Sequence, residues 1–169
     1  MKLSRSLTLA TALVLAFPAG AAEAPSAEVV AIGKTLDFLA DVSKYQAMFD
    51  SVVAFCRPST PANVVDLARQ LWLSKNQRYL DLRDKELARV LEEARANGSE
   101  PEQIAFLKDW VEKQYRVTLS NNRMYKDLLA RQDLPTSCPK RLGEMNHSSM
   151  DLSVISPRAA EYAETLGEP

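Results

Sequence analysis

This chain is poor in the residues from which most active sites are built. Of its 169 residues only one is a histidine, His147, and only two are cysteines, Cys56 and Cys138. A single histidine removes the second ligand of the usual zinc sites and the base of a histidine-driven triad elsewhere in the chain. Five glycines leave no glycine-rich loop to cradle a phosphate, and no Gly-x-Ser-x-Gly elbow occurs. The two cysteines are 82 positions apart, so they are not a Cys-x-x-Cys redox pair. With a net charge of −1, the chain has no overall pull towards nucleic acid or an anionic membrane. The sequence therefore predicts no catalytic residues, no cofactor and no metal, and the chain is expected not to be an enzyme.

What is present begins with a targeting pattern. Lys2 and Arg5 precede an uncharged apolar stretch from Leu7 to Phe17, and Pro18 then leads into Ala19, Gly20, Ala21 and Ala22. A positive start, a short apolar core and small residues at the exit make a secretory signal peptide, here placed at residues 1–21. The apolar stretch is shorter than the roughly 20 residues that a membrane span requires. Residues 22–169 are then one mature domain, expected in the periplasm or secreted, with no transmembrane segment. An oxidising compartment favours a disulfide between Cys56 and Cys138.

The mature chain reads as helix throughout. Phe38, Val42, Tyr45, Phe49, Val52 and Cys56 recur at steps of four and three, which sets them on one stripe of a first helix over 27–55. Pro58 and Pro61 end it, and Thr60 with Pro61 supplies an N-cap and first turn for a second helix running to Asn97. Its expected apolar face comprises Val64, Leu67, Leu71, Leu80, Leu87, Leu91 and Ala94, with a polar middle at 74–78. Asn97-Gly98 ends that helix, and Ser99 with Glu102 offers a capping box for a third, expected to reach Arg131. Pro135, Pro139 and Gly143 suggest a loop over 132–155. Ser156-Pro157 then starts a short helix over 156–166. The fold class is all-α: an antiparallel bundle of three long helices plus a short C-terminal helix, closed by one disulfide. Short connections put the end of the first helix and the end of the third at one pole, where the two cysteines would meet.

Charge is uneven. Residues 113–141 hold Lys113, Arg116, Arg123, Lys126, Arg131, Lys140 and Arg141 against Asp127 and Asp133, and Arg57 belongs to the same pole. Such a basic pole suits an acidic protein, a phosphorylated headgroup or an anionic glycan, and it equally suits internal pairing with the acidic segments 22–55 and 142–169. Arg116, Arg123, Lys126 and Tyr125 are the candidate partner-binding residues, and the partner is expected to be another envelope protein. The functional expectation is an exported bacterial helical bundle that binds a partner without catalysis, as a chaperone, inhibitor or immunity factor would. The alternative is a periplasmic protein for a small ligand or a metal. Met145, His147 and Met150 would be soft ligands for copper in that case. The charged surface of the second helix also leaves a homodimer open.

Overall fold

The computed structural model describes residues 26–121, 127, 130–131, 133–147 and 150–167. The expected signal peptide lies outside the described residues. Among the described residues the chain is helical and no strand occurs. Six α-helices follow in order: α1 over Ala27–Cys56, α2 over Ala62–Ala96, α3 over Pro101–Asn121, α4 over Leu134–Met145, α5 over Leu152–Ile155 and α6 over Pro157–Thr165. No helix is long and apolar enough to cross a membrane among those described.

The first helix forms on the stripe the spacing predicts. Ser26 caps it, accepting the amide N–H of Val29 at 3.3 Å. Phe38, Val42, Phe49, Val52 and Cys56 are buried, and Tyr45 packs against the core from its rim. A second buried stripe, Ser43, Ala47 and Ser51, repeats every four residues on another face of α1. Small side chains let backbones approach closely, and α3 is the helix that packs most extensively on α1.

A 3-10 turn over Arg57–Ser59 reverses the chain into α2. Thr60 does not cap α2. Pro61 forces the residue before it into the extended region, where Thr60 has φ −127° and ψ 139°. Its hydroxyl is buried without a hydrogen-bond partner, and the carbonyl of Pro61 accepts the first helical amides, from Val64 and Val65. The α1 and α2 helices run antiparallel. Phe49 stacks on Trp72 with ring centroids 4.4 Å apart, Gln46 accepts from Arg83, and Thr35 reaches Glu86 through one intervening side chain.

The end of α2 follows the sequence signal closely. Gly98 takes φ +76°, and the amides of Ser99 and Gly98 donate to the carbonyls of Ala94 and Arg95. That crossed pair satisfies carbonyls the helix end leaves free. The cap of α3 is shifted by one residue from expectation. Pro101 takes the first helical position, so the Gln103 side chain, not Glu102, reaches back to the N–H of Glu100 at 3.1 Å.

Two expectations are corrected. The apolar face of α2 in its first half is Val65, Ala68 and Trp72, whereas Leu67 and Leu71 stand 55% and 43% exposed. The polar middle also contributes to the core, because Asn76 is fully buried there. Residues 134–145 are also no loop but the helix α4. Asp133 caps it, and Pro135 sits in the first turn, where a missing N–H costs nothing. Pro139 forgoes one internal hydrogen bond, but Cys138, Leu142 and Met145 give α4 a fully buried stripe.

The Cys56–Cys138 disulfide is present, with Cα atoms 5.3 Å apart. Cys138 lies within α4 and not at the end of the third helix. From the disulfide, α4, α5 and α6 run along the α1–α2 pair and do the work of a fourth bundle helix in three short pieces. Each contacts α2, and α4 and α6 also pack on α1.

Candidate functional site

Arg116 sits on α3, its side chain outside the described residues, and Arg123, Tyr125 and Lys126 lie wholly outside them. Four more residues of the basic pole fall into two groups. Lys113 pairs with Asp109 at 2.6 Å, and Arg141 pairs with Glu144 at 2.9 Å, each within one helix. Arg57 and Lys140 are exposed and have no ion-pair partner among the described residues. They follow Cys56 and Cys138 directly or by two positions, so the disulfide holds both at one end of the bundle.

The same end carries an outward apolar stripe. Leu67 and Leu71 are one turn apart on α2 and face away from the side that buries Ala68 and Trp72. Val64, a turn earlier, is half-buried beside them. Exposed leucines set singly would need no explanation, but here two lie on one face in the first turns of α2, at the end of the bundle that also carries Arg57 and Lys140.

The metal alternative fares differently. Met145 is buried in the core and Met150 packs against it, while His147 is exposed. No group of three or more His, Cys, Asp or Glu residues capable of holding a metal occurs among the described residues.

Sequence reasoning missed the most elaborate polar cluster in the protein. Glu86 is 97% buried in the middle of α2, by its 3% exposure. Arg89, one turn on, donates to one of its carboxylate oxygens through Nε at 3.1 Å and Nη2 at 2.8 Å. The Tyr162 hydroxyl of α6 donates to the same oxygen at 2.7 Å and meets the Thr35 hydroxyl of α1 at 2.9 Å. Burial pushes the Glu86 carboxyl upward, but the hydrogen bonds from Arg89 and Tyr162 outweigh it and hold the group below its ordinary value. Burial raises the Tyr162 phenol, and the neighbouring carboxylate adds to that. Glu93 holds a second side of Arg89 at 2.7 Å.

A second cluster lies along the same groove. Ser156 donates to Asp41 at 2.8 Å while capping α6 through the N–H of Ala159. Arg158 reaches Asp37 and Asp41, each at 3.2 Å. Nothing in a single sequence links Glu86 to Tyr162 across 76 positions. The only legible sign was a glutamate on the apolar side of α2, four residues before Val90.

The chemistry of both clusters is complete within the chain: Glu86 and Asp41 each have donors, the Glu86 cluster fastens α6 to α1 and α2, and the Asp41 cluster fastens it to α1. No protein-family model matches the chain, and no curated protein or solved structure is similar to it.

Proposed function

We propose that this is an exported bacterial helical-bundle protein that acts without catalysis, by binding a partner protein in the cell envelope. The observation that carries this reading is the surface at the disulfide end. Leu67 and Leu71 point outward there, and Arg57 and Lys140 stand without ion-pair partners among the described residues. Apolar side chains give a partner area to bury, and nearby cations set its orientation and exclude basic competitors. Arg116, Arg123, Lys126 and Tyr125 extend the same basic pole by their place in the sequence. The partner would present an acidic surface with an apolar centre.

The test is affinity capture of the oxidised mature protein from a periplasmic extract, against two variants. One is Arg116→Glu/Arg123→Glu/Lys126→Glu and the other is Leu67→Glu/Leu71→Glu. A partner retained by the natural protein and lost with both variants supports the reading and its site. A partner that stays bound to both removes this surface from consideration.

A further inference from the structure

A different observation concerns the far end of the C-terminal segment. Helix α6 has nine residues and buries little apolar surface: Ala159 and Ala163 are its only fully covered side chains. Tyr162 is half-buried, its ring stacked on Phe38 with centroids 4.7 Å apart. Polar contacts also hold α6. Its Arg158 and Tyr162, four residues apart and so on one face, meet Asp37, Asp41 and Glu86, while Thr35 completes the ring of contacts. The Arg158 and Asp37 side chains are 64% and 58% exposed, so their ion pair contributes little.

We infer that α6 is the resident ligand of an acidic and aromatic groove between α1 and α2, and that the groove accepts in its place a partner protein's helix bearing arginine and tyrosine four residues apart. The groove is built to survive the exchange. Glu86 keeps both Arg89 hydrogen bonds when Tyr162 leaves, so its buried charge stays paired. Asp37 and Asp41 pass into water, where a carboxylate is at ease. Phe38 loses the ring stacked on it, and that exposed face selects an aromatic replacement. The occupant follows from charge complementarity: Asp37 and Asp41 lose the Arg158 cation and Glu86 loses the Tyr162 hydroxyl, so an incoming helix carries an arginine and a tyrosine, with small residues between. Elements with few buried apolar contacts open locally without global unfolding, which places α6 at the low-stability end of the molecule.

Two measurements on the whole chain test this. The first is native-state hydrogen exchange of the natural protein at low and high salt. The amides of α6 are expected to exchange at least about tenfold faster than those of α1 around Phe38 and Val42, and faster still as salt screens the latch. If α6 amides exchange only at the rate of global unfolding, the inference is wrong. The second adds a fluorescent synthetic peptide spanning Ser156 to Gly167. In the natural protein the tethered α6 outcompetes it by effective concentration. With the cis latch weakened by Arg158→Glu/Tyr162→Ala, the peptide is expected to bind at least about tenfold more tightly, and Asp41→Arg in that background to abolish the gain. Peptide binding that is no better in the latch variant, or is indifferent to Asp41→Arg, overturns the proposal. Should the latch variant fail to fold, the exchange measurement on the natural protein decides alone. Neither result depends on the basic pole at the disulfide end.

Discussion

Asn76 and Glu86 are the two residues whose polarity the interior of this bundle depends on. Asn76 donates to the Trp72 carbonyl at 3.0 Å and accepts the N–H of Leu152 at 2.7 Å, which fixes where α5 begins. Asn76→Ala leaves that buried amide without its acceptor, so a loss of about 1–3 kcal/mol is expected in urea denaturation. Asn76→Leu restores the volume but not the acceptor and should recover little. Glu86 gives a pH signature with a definite sign. Its carboxyl is held below its ordinary value of 4.5 in the folded protein, so its ionised form stabilises the fold above that pH. The contribution fades as pH falls from 4.5 through the lower folded value. The stability gap between the natural protein and Glu86→Gln is therefore expected to be full at pH 7 and to narrow below about 4.5. A gap that stays constant to pH 3 would mean that shape and neutral hydrogen bonds, not charge, set the role of Glu86. Burial keeps the Tyr162 phenol protonated beyond its ordinary range, and its ultraviolet titration should lag behind that of an exposed tyrosine.

At the scale of elements, α2 has two apolar stripes in its first half and the fold uses one of them. Val64, Leu67 and Leu71 compete with Val65, Ala68 and Trp72, three apolar residues each, so counting does not choose between them. The ring decides, because Trp72 buries more area than a leucine and stacks face to face on Phe49, with the two planes only 7° apart. The consequence is measurable. Leu67→Glu and Leu71→Glu are each expected to shift stability within about 0.5 kcal/mol, as ordinary surface changes do. Phe49→Ala is expected to cost about 3–5 kcal/mol. If Leu67→Glu is as damaging as Phe49→Ala, the buried stripe has been assigned to the wrong face.

The same comparison shows what was legible. In α1 a single stripe stood against Asp37 and Lys44, both exposed, so its core face was readable from spacing alone. The Asn97-Gly98 stop was readable because only one residue type takes that backbone turn freely. Helix α4 was not, since Pro135 and Pro139 carry the sign of a loop. What overrides them is tertiary: Cys138 bonded to Cys56, with Leu142 and Met145 buried on the same side. The Glu86 and Asp41 clusters were illegible for a related reason. Each joins groups more than 70 positions apart, and a glutamate in sequence looks the same whether it faces water or a tyrosine.

For the whole molecule the disulfide acts on the longest loop available to it. The bond spans 82 residues and encloses α2 and α3 entirely, while most of α1 and all of α5 and α6 lie outside that loop. In the chain-entropy model a closure of this length stabilises the fold by about 4.5 kcal/mol, acting mainly on the unfolded chain. Marginal stability for a domain is about 5–15 kcal/mol, so loss of the bond removes a substantial share. Both sulfurs are fully buried, and a reductant reaches them only when the pole opens. Reduction is therefore expected to be slow under native conditions and fast in denaturant. Once reduced, the protein should unfold at a lower urea midpoint and with a steeper dependence on urea, because the uncrosslinked chain exposes more surface. Cys56→Ala/Cys138→Ala should behave like the reduced protein. A double variant as stable as the oxidised chain would show that packing of α4 on α1 and α2, and not the covalent bond, holds the two ends of the bundle together.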